Sequence, residues 1–286
     1  MIRIIESPRE GMQGFHRIIP THQKVRYIES LMRVGFDTVE TGSIVSPKLI
    51  PQMADSMEVL DHLDIPQGSR LMMLAVNRKG AGIIAPIPGI THLSYPFSFT
   101  PTFLKHNVNS TVEDSFNTVR DVLSLCSKHG KTAVVYISMA FGNPYGDPWD
   151  TSLLAEWVSR LHEAGVRIIP LSNVSTEIDP QLISEVYSLL IPLFPDIEFG
   201  LHLHTANRDW YPKVKAAWDA GCRRFDGVIN GWGGCPMAGR EMLGNLKTEN
   251  LLLFAGQEGI ETGIDREALL EVYRLANEVF IAEDED

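Results

Sequence analysis

No run of apolar residues in this 286-residue chain approaches the roughly 18 in succession that a membrane-spanning helix requires. A membrane partner is not expected. Cysteine is scarce: Cys126, Cys222 and Cys235 show no CxxC or other regular spacing, which argues against a disulfide framework or a structural zinc site. Any special cysteine must act alone. Basic clusters are also missing, and the net charge is −11, so nucleic acid, whose phosphates call for a clustered basic face, is not an expected partner. An anionic substrate stays compatible where local Arg, Lys or metal charge offsets the overall field. The opening Met1-Ile-Arg-Ile-Ile-Glu6 reads as a short strand and lacks the zones of a signal peptide, so a cytoplasmic location is expected. There is no Ser/Gly linker and no low-complexity segment, which leaves one domain over 1–286 with a C-terminal helical extension as the expectation.

What is present is an even alternation. Hydrophobic residues make up 44% and charged residues 21%, an ordinary globular balance. Short apolar runs at 2–6, 37–41, 71–75, 91–95, 132–138, 167–171, 197–203 and 225–229 read as eight strands. Amphipathic helical patterns lie between them at Thr21–Val34, Thr111–His129, Thr151–Ala164, Pro180–Leu193 and Asn207–Ala220. Several open on a Thr or Asp cap, and Gly35, Gly130, Gly165 and Gly221 each follow a helix and precede a strand. The third unit is weak, because residues 76–90 hold Gly80, Gly82, Pro86, Pro88 and Gly89. Eight strand–helix repeats near the roughly 250 residues of a (β/α)8 barrel predict an α/β TIM barrel. A doubly wound sheet is the alternative, but no GxGxxG follows the first strand.

In such a barrel the chemistry collects at the carboxyl ends of the strands. Those ends carry Ser7-Pro8-Arg9-Glu10, Glu40-Thr41, Ser138, Ser172-Asn173, His202-Leu203-His204-Thr205 and Asn230. Two histidines at i and i+2 of a strand point to one face, so both imidazoles can reach one ion. A His-x-His pair is as often two hydrogen-bonded core histidines; the convergence with Arg9, Glu10 and Glu40 favours the metal. Cys235 has the alternatives of a buried inert thiol and, given Gly233-Gly234 and Pro236 around it, a mobile loop.

The segment Glu6-Ser-Pro-Arg-Glu-Gly-Met-Gln13 resembles the opening signature of the 3-hydroxy-3-methylglutaryl-CoA lyase family. Glu40-Thr-Gly-Ser-Ile-Val-Ser-Pro-Lys48, Lys105-His-Asn-Val-Asn109, Tyr136–Tyr145, His202-Leu-His204, Gly233-Gly-Cys-Pro236 and Gly244-Asn-Leu-Lys-Thr-Glu249 resemble further family segments in the same order. The resemblance implies a metal-dependent carbon–carbon lyase that cleaves the acyl-CoA thioester 3-hydroxy-3-methylglutaryl-CoA to acetyl-CoA and acetoacetate, with Mg2+ or Mn2+ held by Glu10, His202, His204 and Asn245. It also implies catalytic roles for Arg9, Glu40, Cys235 and His202, and substrate contacts from Gln13, Lys105, Asn107, Ser138 and Asn173. A homo-oligomer is expected, with the helical stretch Glu267–Ile281 available for an interface.

Four positions depart from the family pattern. Glu10 stands where an Asp is usual, Asn173 where an Asp implicated as base is usual, and His16 where a Lys is common; the segment from Cys235 to Asn245 is one residue longer. A neutral amide at Asn173 cannot take a proton, which leaves His202 as the acceptor. The alternatives are therefore a lyase or aldolase on another hydroxy acid or hydroxyacyl-CoA, and a metal- or CoA-binding homologue with little catalysis left.

Overall fold

The computed structural model describes residues 1–15, 17–173, 178–206, 208–233 and 244–280. Eight parallel strands close into a barrel in sequence order, with β1 paired to both β2 and β8. They are β1 (Arg3–Glu6), β2 (Thr38–Ile44), β3 (Leu71–Ala75), β4 (His92–Phe97), β5 (Thr132–Ser138), β6 (Ile168–Ser172), β7 (Glu198–His202) and β8 (Arg224–Gly227). The TIM barrel expected from the alternation is the fold, and every predicted strand is found within a few residues of its place.

The helices follow the local signals. They are α1 (Pro8–Gln13), α2 (Thr21–Met32), α3 (Ser56–His62), α4 (Arg78–Ile84), α5 (Pro101–Val108), α6 (Val112–His129), α7 (Thr151–Ala164), α8 (Pro180–Leu193), α9 (Trp210–Asp219), α10 (Thr248–Gln257) and α11 (Arg266–Phe280). Thr111 and Asp150 cap α6 and α7 by accepting from the amides of Asp114 and Leu153. Gly130 and Gly165 close the same helices in the left-handed region, where a Cβ is costly. The weak third unit is a two-turn helix, α4, capped by Asn77 and followed by the prolines. Among the described residues no helix is long and apolar enough to cross a membrane.

Three local differences from the sequence pattern matter to the site. The chain after β1 does not remain a loop: Pro8, with φ already fixed for a helix, starts α1, which carries Arg9, Glu10 and Gln13 over the barrel mouth. β2 runs on to Ile44 through a register irregularity between Glu40 and Gly42, the kind of bulge that re-aims a side chain at a barrel rim. β8 stops at Gly227 rather than 229, because Ile229–Gly231 turns and Asn230 takes φ +60.

Most of the core lies between barrel and helices, from Ile4, Val39, Leu71, Leu93 and Val135 outward to Ile28, Val119, Leu161 and Val214. Inside the barrel the apolar cluster is small: Ile5, Met72 and Val134, with Tyr136 and Ile168 against them. Buried polar groups, Glu40, His202, Arg224 and Asp226, stand on other strands, β2, β7 and β8. A charged interior costs stability unless its groups pair, so their pairing locates the functional end.

Candidate metal centre and cavity

Arg9 is the organising cation. Its Nε and Nη2 donate to Glu40 Oε2 at 3.1 and 2.7 Å, its Nη1 to Gln13 Oε1 at 3.1 Å and its Nη2 to Glu10 Oε1 at 3.0 Å. Burial works against a charged guanidinium, yet Glu40 and Glu10 more than offset it and hold Arg9 protonated. The carboxylates are in turn kept in place by one planar donor fork.

Glu10 points its other oxygen at the histidine pair, with His202 Nε2 at 3.3 Å. The His202 and His204 rings lie 5.3 Å apart. One donor atom from each of Glu10, His202 and His204 falls within 4.8 Å of the others. Burial raises the Glu10 pKa, but His202 and Arg9 outweigh it and hold the carboxyl below its ordinary range. Burial alone would lower the His202 pKa; Glu10 and Asp226 instead push it up to about 10. Each group thus favours a positive charge between the carboxylate and the imidazole.

His204 is set by its backbone. Asn173 accepts from the His204 amide at 3.0 Å through Oδ1 and donates to the His204 carbonyl at 3.2 Å through Nδ2. The strand-like run continues as an isolated antiparallel bridge between His204 and Asn245. Asn245 spends its Nδ2 on the Trp232 carbonyl at 2.9 Å, and its buried Oδ1 has no hydrogen-bond partner among the described residues. A buried amide oxygen without a partner is costly, and it lies on the residue bridged to His204. One carboxylate and two imidazoles form a mixed oxygen and nitrogen donor set that fits a divalent ion of the magnesium or manganese class.

Two groups that the sequence reading did not single out stand behind His202. Asp226 Oδ2 lies 3.0 Å from His202 Nδ1 and accepts the Tyr136 hydroxyl at 2.7 Å. Burial and the neighbouring Asp226 raise the Tyr136 pKa well above its ordinary value, so it remains a donor. A carboxylate on Nδ1 fixes the tautomer that presents Nε2 toward Glu10. The signal was an acid inside the apolar run Phe225-Asp-Gly-Val-Ile229, where only a paired charge is tolerated.

A cavity of about 680 Å3 opens over these groups, lined by Arg9, Glu10, Gln13, Glu40, His202 and His204 on the polar side. Ser138 and Asn107 line it as well. Its other wall is apolar, from Val45, Leu49, Ile50, Leu74, Val76 and Phe103. Lys105 is exposed on α5 and does not line the cavity, whereas its neighbours His106 and Asn107 do. Asn173 is buried behind His204 rather than in the cavity wall. Cys235 and His16 lie outside the described residues.

The HMGL-like family model matches residues 2–276. The chain is 30% identical over 271 residues to the mitochondrial hydroxymethylglutaryl-CoA lyase of Mus musculus, covering 94% of this chain and 83% of that one. It is 30% identical over 267 residues to the cytoplasmic 3-hydroxy-3-methylglutaryl-CoA lyase of Danio rerio, covering 92% and 78%. An HMG-CoA lyase structure from Acinetobacter baumannii, in complex with coenzyme A and 3-methylmalate, superposes with a TM-score of 0.89 at 28% identity over 98% of this chain and 91% of that one. The relatives' names divide between mitochondria and cytoplasm, so the cytoplasmic expectation rests on the sequence alone.

Proposed function

Because the chain belongs to the HMGL-like family and is a carbon–carbon lyase, we propose that it cleaves 3-hydroxy-3-methylglutaryl-CoA to acetyl-CoA and acetoacetate. The observation that carries this reading is the donor set of Glu10, His202 and His204 beside the Arg9–Glu40 pair, inside one cavity. The relative solved with coenzyme A supports an acyl-CoA thioester as the substrate class.

Glu10, His202, His204 and Asn245 would hold Mg2+ or Mn2+. When bound, such an ion polarises the substrate's tertiary hydroxyl and carboxylate so that the hydroxyl proton leaves more readily. The remaining services come from side chains. Arg9, fixed by Glu40 and Gln13, is oriented to neutralise the charge that grows on the thioester oxygen as the carbon–carbon bond breaks. His202 would offer the ion Nε2, the nitrogen turned to Glu10; with Nε2 so engaged and Nδ1 against Asp226 it has no free nitrogen for the hydroxyl proton, so its role in this reading is ligation. Asp226 on Nδ1 would strengthen that nitrogen as a donor. Cys235 would return a proton to the departing acetyl-CoA carbon, a role that rests on the family's Gly-Gly-Cys-Pro segment. Asn173 is neither base nor substrate contact in this reading; it positions His204.

The test is to incubate the purified protein with the thioester and either ion and to measure both products. Absence of acetoacetate under every metal condition overturns the proposal. The apolar wall of Val45, Leu49, Ile50, Leu74, Val76 and Phe103 favours a second reading, a hydroxyacyl-CoA with a larger apolar substituent at C3. Higher kcat/KM for such a thioester than for the methyl compound decides for it.

A further inference from the structure

The geometry points to the end of the C-terminal helix as a clamp on the metal ligands: we propose that Phe280 is a positioning residue that, through Trp232, sets the spacing of Glu10 and Asn245. The inference rests on the metal-site reading above and adds a residue to it that touches neither ion nor substrate.

The stack comes first. The Phe280 and Trp232 rings lie 5.6 Å apart with 12° between their planes, while Phe15 and Tyr27 meet Phe280 edge-on at 5.6 and 5.8 Å. Among the described residues the buried Trp232 Nε1 has no hydrogen-bond partner, and ring packing is what orients the indole there. Arg17 Nη2 donates to the Val279 carbonyl at 2.9 Å and fastens this end of α11 beside α1.

Trp232 then transmits that position to both ligands. Its carbonyl accepts from Asn245 Nδ2 at 2.9 Å, which turns the amide oxygen the other way, where it meets no hydrogen-bond partner among the described residues. On one side of it Gly231, at φ +69, brings its backbone so near Asn245 that a Cβ there would stand 2.8 Å from the Asn245 carbonyl oxygen. On the other side Gly233, at φ +77, is closer still: a Cβ would stand 2.2 Å from the Glu10 carbonyl oxygen. The tripeptide Gly231-Trp232-Gly233 is thus a spacer between the backbones of two ligands, and its single side chain is the indole held by Phe280. α1 meets the same ring directly, since a Cβ on Gly11 would lie 3.4 Å from Phe280 Cζ and 3.7 Å from Trp232 Cβ. Removing the Phe280 ring takes away the face on which the indole is stacked and opens room beside Gly11, so the stops of both ligands loosen at once.

Mn2+ affinity, measured by titration of the full chain, separates positioning from mere stability. Phe280→Ala and Trp232→Ala are each expected to weaken Mn2+ binding about tenfold or more, the scale of losing support behind a ligand. The double variant should be no weaker than the weaker single one, because the two rings act as one unit. Phe280→Tyr, which keeps the ring, should bind as the parent does. Val272→Ala, a cavity at a fully buried site one face along α11, should lower the melting temperature and leave Mn2+ affinity within about twofold. If Phe280→Ala does not fold, Phe280→Leu takes its place with the same expectation. Unchanged affinity in the Phe280 variant, or equal weakening by Val272→Ala, overturns the proposal. A parent protein that binds no Mn2+ removes the metal-site reading and this inference with it.

Discussion

Asp226→Asn isolates one atom-level step, the charge behind His202. The amide is isosteric, so the cavity and the Tyr136 contact keep their shape, but the negative partner of His202 Nδ1 at 3.0 Å is gone. Asp226 and Glu10 are the two groups that lift the His202 pKa to about 10, and losing one of them lowers it. It also makes Nε2 a poorer donor to a cation. Loss of a carboxylate behind a ligating histidine costs about 10- to 100-fold in metal affinity, or about 1.4–2.7 kcal/mol. Calorimetric titration with Mn2+ at pH 7 and pH 9 reads both effects. In the parent, an ion must displace the proton that His202 holds up to about pH 10, so affinity rises across this interval and a proton is released on binding. In Asp226→Asn the affinity at pH 9 falls by the factor above, and the pH slope between 7 and 9 flattens because the imidazole is already more neutral. A variant that binds Mn2+ within twofold of the parent, with the same slope, refutes the assignment of Asp226.

Three further outcomes follow from the same geometry. Asn173→Asp restores the carboxylate usual in the family, yet here it is expected to lower activity: its oxygen replaces the Nδ2 donor 3.2 Å from the His204 carbonyl, a loss of about 1–3 kcal/mol visible in the melting temperature and in Mn2+ affinity. Arg9→Lys keeps the charge but loses the fork that joins Glu10, Gln13 and Glu40, and kcat should drop about 100- to 1000-fold with a smaller change in KM. Glu6 is buried beneath the site, 2.5 Å from Thr248 Oγ1, and burial raises its pKa to about 8. An acid raised in the folded state is bound to its proton more tightly than in the unfolded chain, so its contribution to stability is lost as pH rises from about 4.5 through 8. Glu6→Gln, which mimics the protonated form, should therefore melt higher than the parent at pH 9 and match it at pH 5, as calorimetry in the two buffers will show.

The Arg9–Glu40 pair shows where reading the chain by segments stops. Both residues are legible as polar groups at strand ends, but their contact depends on α1 folding back and on the irregularity after Glu40, neither of which has a periodic signal. Asn173 shows it more sharply. As a residue type it reads as a lost base, and only the two hydrogen bonds to the His204 backbone reveal a support.

By itself the sequence determined the order and number of strands, the ends of the capped helices and the His202–His204 pair. These depend on interactions between residues a few positions apart, which side-chain periodicity, caps and glycine record directly. Barrel closure decided the rest: Asp226 against His202, Tyr136 against Asp226, Phe280 on Trp232. Those partners sit 24, 90 and 48 positions apart in the chain. They meet because strand stagger and helix packing bring them together, and no local pattern specifies which side chains will then share one buried space.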